Sequence, residues 1–447
     1  MLKAAERSLC LALALGALLA APVLVAAQRP AAPKAARTKP AGPKPAVTNS
    51  PDVPALLKAA SDALDRKDLP AAVKALQTVL EVEPQMTAAW FNLAYAFTGL
   101  RQTEEAVKAY EKTLELQPDL FEARLNLGIL LMELKRPAEA EPQLAKAVEL
   151  KPEHSRARLY HGRSLSAGGQ PDAAAREFQE AIRLDPALAI APFDLGQVLL
   201  GRKDFAGALQ AFQKAAELDP GLPQARLGAA LALEGSKRDL EAAAQFEQYL
   251  ALQPGDLETR FHLARIDLQL GKNEKALEGL QAVYTANPGL SGVAAALGDV
   301  CALLKRLPES EKYYREALAA SPGEPDLHRA LAQTLLDQEK FPEAEAEFRA
   351  CLKLDPGNRD AFKGLATSVY LQKRYAEAVP LMEAQAAAPH PPVGLYFVLG
   401  SCYDHLRDLP KAVENYERFL SLSQNQNPDQ EWQARQRVKL LRREMRK

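Results

Sequence analysis

Pro84, Pro118, Pro152, Pro186, Pro220, Pro254, Pro288, Pro322 and Pro356 follow one another at intervals of 34 residues. A fixed period of this length means that one small supersecondary unit is stacked on copies of itself, because such a unit cannot bury its apolar face alone. Taking Val53 as position 1 of the first repeat puts the proline at position 32. Two further columns keep the same register. Position 8 is Ala or Gly throughout: Ala60, Ala94, Gly128, Gly162, Gly196, Ala230, Ala264, Gly298, Ala332, Ala366 and Gly400. Position 20 is Ala from Ala72 to Ala412, with Ser310 as the single departure. These columns extend past the last in-register proline and define eleven repeats, from Val53 to Gln426.

The columns have a packing meaning. Two helices joined by a turn approach most closely at one point, where small residues are needed and a larger side chain would overpack. Large apolar residues surround that point. Leu predominates at position 7, as in Leu93, Leu127 and Leu195, and position 24 carries Tyr110, Phe178, Phe212, Phe246, Tyr314, Phe348 and Tyr416. Proline at position 32 ends the second helix, since its ring and missing N–H cannot continue the ladder. Pro70, Pro137, Pro171, Pro308, Pro342 and Pro410, at positions 17 or 18, mark the first turn of that helix, which tolerates proline. Pro142 and Pro380 fall at position 22, inside it, and predict a local kink or a late helix start in repeats 3 and 10.

The second repeat, with Trp90, Leu93, Ala94, Phe97, Ala106, Tyr110 and Pro118, resembles the tetratricopeptide repeat family, and the register extends the resemblance over about five-sixths of the chain. Departures are Leu76 for the aromatic in repeat 1, and His390 and Gln424 for the proline in repeats 10 and 11. The resemblance implies an all-α, right-handed superhelical solenoid of about eleven helix–turn–helix repeats plus a C-terminal capping helix. It also implies that first helices line a concave groove, with positions 2, 5, 9 and 12 facing into it. Position 5 reads Phe91, Leu125, Leu159, Phe193, Leu227 and Phe261, then Ala295, Arg329 and Lys363. Position 9 includes Tyr95, Ile129, Arg163, Gln197 and Arg265. The groove is therefore expected to be apolar over repeats 2 to 7 and polar beyond. The same position-5 side chains serve packing against the neighbouring helix equally well. Family members that hold a partner's C-terminal carboxylate use Lys, Arg and Asn on consecutive repeats. Asn92 and Asn126 match part of that set, but its Lys and Arg members are missing.

The ends differ from the repeats. Residues 1–27 read as a secretory signal: Lys3 and Arg7 precede an uncharged run from Leu9 to Ala27 that closes on small residues. An uncleaved segment 9–27 would instead anchor the chain in a membrane. Either outcome places the repeats outside the cytoplasm, periplasmic or secreted. Residues 28–52, rich in Pro, Ala and Lys, read as an extended linker whose five cations would tether only weakly to an anionic surface. Residues 53–426 are the solenoid and 427–447 the cap. From Glu431 onward, Ala434, Val438, Leu441 and Met445 form an apolar stripe among seven basic residues, as a stack end requires. The same stretch also has the form of a basic amphipathic helix for membrane or nucleic acid.

Net charge is −1. Residues 1–50 carry +6 and residues 431–447 carry +5, which leaves −12 on the body between them. An acidic body argues against a nucleic-acid partner. Cys301, Cys351 and Cys402 are an odd set at irregular spacing, which is neither a disulfide framework nor a zinc site, and they read as small buried hydrophobes. The six histidines are scattered, and His161 and His328 fall on packing columns. There is no metal, phosphate-loop or nucleophile motif, so no catalytic, cofactor or metal residue is assigned. The sequence therefore points to a non-catalytic, exported scaffold that binds an extended or helical segment of another protein. An accessory factor of an envelope-assembly or polysaccharide-export system is the first rival. The scaffold part of an enzyme is the second, disfavoured because no other domain is long enough to carry chemistry.

Overall fold

In the five repeats with glycine at position 8, that residue and the large one at position 24 meet face to face in the computed structural model, which describes residues 52–446. The signal segment 1–27 and nearly all of the linker 28–52 lie outside the described residues. The described chain holds twenty-three helices and no strand. In repeat 1, α1 (Val53–Asp65) and α2 (Leu69–Val82) occupy positions 1–13 and 17–30. Numbering continues with two helices per repeat, and the same bounds recur with shifts of one or two residues. The second helices end two residues before the proline at position 32, because the residue preceding proline is pushed out of the helical region. The chain divides after Gln253 into two compact units. The first holds repeats 1–6. The second holds repeats 7–11 and the C-terminal α23 (Pro428–Glu444).

The close approach is tight. A Cβ placed on Gly196 would stand 2.8 Å from the Phe212 ring, one on Gly162 2.7 Å from Phe178, and one on Gly400 2.8 Å from Tyr416. The position-24 ring also reaches the next repeat: a Cβ on Gly228, at position 6 of repeat 6, would stand 2.5 Å from Phe212. The Phe212 ring is thus wedged between its own first helix and the following one, a contact that couples repeats 5 and 6. Ser310, the departure at position 20, keeps its buried hydroxyl satisfied by donating to the Gly298 carbonyl at 2.9 Å.

A polar stitch joins successive repeats. The side chain at position 4 reaches back to the carbonyl of the preceding position-32 proline. Trp90 Nε1 donates to Pro84, Arg124 Nε to Pro118 and Arg158 Nε to Pro152, all at 2.9 Å, and Arg260 Nη2 donates to Pro254 at 3.1 Å. The turn inside each repeat has its own device. The residue at position 15 is left-handed in all eleven repeats, and nine of the eleven are not glycine, from Lys67 (φ 59°) to Arg407 (φ 64°). In repeat 1, Lys67 N donates to Leu64 O and Asp68 N to Ala63 O, the paired bonds of a Schellman motif. A cation there complements the carbonyl end of the first helix.

The late helix start expected at Pro142 and Pro380 and the expected extent of the C-terminal stripe are corrected. Neither proline at position 22 delays its helix: α6 (Pro137–Leu150) runs on register through Pro142, and α20 (Tyr375–Ala386) starts on register. One missing N–H is tolerated in α6 because Ala140, Leu144 and Ala147 hold it against the core. The stripe on α23 ends at Leu441. Met445 lies just beyond the helix and is 49% exposed, and the helix starts at Pro428, ahead of Glu431.

Gly196→Leu or Ala208→Leu should overpack repeat 5 by about 1–3 kcal/mol. Hydrogen exchange should show protection lost around repeat 5 and kept in repeat 1, since coupling runs between neighbours. At position 15, Lys203→Val should lower stability relative to Lys203→Gly by about 1–2 kcal/mol, the left-handed penalty of a residue with a Cβ, measured by urea denaturation.

Candidate protein-binding face

Positions 5 and 9 are one helical turn apart and share a face of the first helix. First helices of repeats 3 to 6 approach one another in succession in the first unit, and those of repeats 7 to 10 do so in the second. Each unit therefore presents a row of first-helix faces, but the predicted residues do not all reach its surface.

In the first unit, Phe91, Leu159, Phe193 and Leu227 are buried, Phe91 and Phe193 being 4% exposed. Phe91 packs on Tyr110 and Phe193 on Phe212, each with ring centroids 5.8 Å apart. Position 5 here lies against the position-24 ring of its own repeat, so these four side chains are core. Tyr95, Leu125, Ile129 and Gln197 are half-buried and form the accessible part of the row. Arg163 is half-buried and committed: its Nε donates to Asp194 of the next first helix at 2.5 Å, and its guanidinium lies over Tyr160. Burial pushes the Asp194 carboxyl above its ordinary range, and the Arg163 charge opposes that rise. Asn126 donates to the Tyr110 hydroxyl at 3.3 Å, a local bond that accounts for it without a ligand.

In the second unit, Phe261, Arg265 and Arg329 are half-buried and Lys363 is exposed. Arg329 Nε reaches Asp326 at 3.4 Å. Asp299, at position 9 between Arg265 and Gln333, accepts from the Tyr314 hydroxyl at 2.6 Å. The row ends in a pocket of about 570 Å³ lined by Tyr370, Phe397, Ser401, Asp404, His405, Tyr416, Gln433 and Arg437. Phe397, Ser401 and Asp404 occupy positions 5, 9 and 12 of repeat 11 on α21 (Gly394–His405), and α23 supplies the far wall. These residues were not among those predicted for the groove. The position-5, -9 and -12 columns, carried to repeat 11, mark those on α21, whereas nothing in the sequence brings Arg437 to them.

Electrostatics in this pocket are largely satisfied. Arg437 Nη2 donates to Asp404 Oδ1 at 2.8 Å and its Nε to Oδ2, a bidentate pair that raises the guanidinium pKa. Burial pushes the Tyr416 hydroxyl up to about 12, so it presents a neutral phenol. His405 stacks on Tyr375 at 4.4 Å. The pocket thus offers aromatic walls, the Ser401 and Tyr416 hydroxyls and the exposed Arg407 around the paired Arg437 and Asp404. A separate cleft of about 660 Å³ in the first unit lies between the first helix of repeat 2, which supplies Trp90, Leu93 and Phe97, and the second helices of repeats 1 and 2, which supply Leu80, Glu81, Glu105 and Lys108. Cys301, Cys351 and Cys402 are buried and free. No group of three or more His, Cys, Asp or Glu side chains that could hold a metal occurs among the described residues.

Paired helices on an unbroken 34-residue register, with small residues at each crossing, define an α-solenoid of helix-hairpin repeats. The chain belongs to the tetratricopeptide repeat family: one family model matches residues 57–120, 159–223, 261–325 and 329–392, and two others match 98–163 and 393–426. This makes it a protein-interaction scaffold of the all-α repeat class. Among solved structures it is similar to MamA, with 27% identity over 38% of this chain and 92% of that one (TM-score 0.36). It is also similar to YrrB, described as a tetratricopeptide repeat protein with an unusual peptide-binding site, with 22% identity over 45% and 100% of the two chains (0.39). Pseudomonas aeruginosa PilF matches with 24% identity over 48% and 97% (0.41). No curated protein matches the chain.

Arg437→Ala should leave the Asp404 carboxylate buried without its partner and loosen α23. The expected cost is about 1–3 kcal/mol, read as earlier hydrogen exchange in α21 and α23 with repeats 7 and 8 unchanged.

Proposed function

We propose that this protein is an exported, non-catalytic scaffold that holds an extended or helical segment of another protein on its first-helix faces. One observation carries the reading. After packing has claimed Phe91, Leu159, Phe193 and Leu227, a row of half-buried apolar side chains (Tyr95, Leu125 and Ile129) still remains partly open. In the second unit Phe261 plays the same part, followed by Arg329, Lys363 and the aromatic pocket of repeat 11. Partly exposed aromatic and aliphatic side chains on a rigid element gain most when a partner desolvates them. The cations at Arg329 and Lys363 favour a segment with an acidic end. Export rests on the charge and hydropathy of residues 1–27. A chain isolated from an expressing envelope and beginning at Gln28 would support cleavage, and an intact residue 1 would refute it. Co-purification of a membrane pore would favour service to an envelope-assembly or polysaccharide-export system, whereas a soluble client would favour a general adaptor.

The captured partner provides the decisive test. Tyr95→Ala or Phe261→Ala should weaken binding by about 1–2 kcal/mol or more, as interface truncations do, with melting close to that of the parent. Phe193→Ala should instead act on stability, by about 3–5 kcal/mol, because that ring is core. Charge reversal at Arg329 and Lys363 should slow association and change its salt dependence more than it changes dissociation. If folded Tyr95→Ala and Phe261→Ala variants both bind the captured partner as tightly as the parent, the first-helix face is not the site.

A further inference from the structure

The C-terminal helix α23 has two faces with different fates. Its inner face buries Ala434, Val438 and Leu441 in the core of the second unit, beside Phe419 and Tyr416. Cations toward that side are consumed by ion pairs, Arg437 with Asp404 and Arg442 with Glu417. This accounts for the helix as a cap. It leaves the opposite face unexplained.

On that opposite face, Trp432 is 64% exposed and Leu440 47% exposed, at i and i+8 with Gln436 exposed between them. Lys439 and Arg443 are exposed beside them, and among the described residues neither takes part in an ion pair. A cap needs a polar outer face, not a tryptophan and a leucine flanked by free cations. The chain's other tryptophan, Trp90, is half-buried and donates to a carbonyl.

We propose that the outward face of α23 docks in the plane of an anionic phospholipid bilayer. The chemistry selects this occupant. Tryptophan settles at the depth of lipid headgroups, leucine gains from the acyl boundary beneath, and unpaired Lys and Arg meet headgroup phosphates. A phosphodiester backbone would satisfy the cations but offer Leu440 no apolar burial. A second copy of the chain would set two like-charged faces against each other in a two-fold contact. One such face gives reversible adsorption rather than anchoring, since stable attachment takes a second signal. This docking is independent of the first-helix binding face, which lies on other residues.

The test uses the full chain carrying Trp90→Phe, so that Trp432 is its sole indole. Vesicles are equimolar phosphatidylcholine and phosphatidylglycerol, with and without brominated acyl chains. Trp432 emission should shift to the blue and be quenched by the brominated lipid, and the response should weaken with added salt. Pure phosphatidylcholine vesicles should leave it unmoved. The double substitution Lys439→Glu with Arg443→Glu should weaken the response about tenfold or more, given the per-cation attraction to anionic membranes, with an unchanged melting curve. Should Trp90→Phe disturb the fold, the difference between the parent and Trp432→Phe isolates the same indole. The readout is local to α23, so attachment through any other segment does not produce it. Three outcomes overturn the proposal: no response to anionic vesicles, an equal response to neutral ones, or an undiminished response in the double variant. A Trp432 shift produced by duplex DNA or polyglutamate, with vesicles inert, would assign the face to a polyanion or an acidic protein instead.

Discussion

Everything in this structure depends on the closeness with which two helices cross at position 8. Because that residue is Gly or Ala, the large side chain at position 24 can press directly on the backbone of the first helix, as Phe212 does on Gly196. The same ring then extends to position 6 of the following repeat, where Gly228 leaves it room. One side chain thereby closes its own hairpin and fixes the next, burying aromatic area on both sides. Stability built this way is a sum of neighbour contacts, and both ends of such a stack need cover. The cover at the C-terminal end is α23, which contributes Ala434, Val438 and Leu441 to the adjoining core.

Polar contacts add direction to this apolar coupling. A donor at position 4 bonded to the preceding proline carbonyl satisfies a group that proline's helix-breaking leaves open, and in doing so it ties the start of one repeat to the end of the last. Arg163 with Asp194 and Arg437 with Asp404 do similar service on the first-helix side. Their charges are therefore poor candidates for recognising a ligand, because each is already neutralised by a buried partner. What remains for recognition is the set of side chains that packing has only half consumed. Tyr95, Ile129 and Phe261 belong to it, as does the aromatic pocket where repeat 11 meets the C-terminal helix.

The sequence by itself determined the repeat number, the helix-turn-helix unit, the proline boundaries and the family. These follow from period and residue size, which are local properties repeated eleven times, so errors at one repeat are corrected by the others. It also sufficed to place Cys301 and Cys351 in the core, since they stand in columns that other repeats fill mostly with apolar residues. Tertiary structure alone decided which face-sharing residues are open. Phe91 and Tyr95 both sit on the predicted face, yet one turn of helix puts Phe91 against the Tyr110 ring and leaves Tyr95 half-covered. Burial is set by what the neighbouring helix brings, and spacing along one helix does not carry that information. The left-handed turn at position 15 was equally hidden, because nine of its eleven residues are not the glycine that such a backbone favours. The same holds for α23: its period disclosed one apolar stripe, but only packing decided that Met445 falls outside it and that Trp432 and Leu440 are left facing outward.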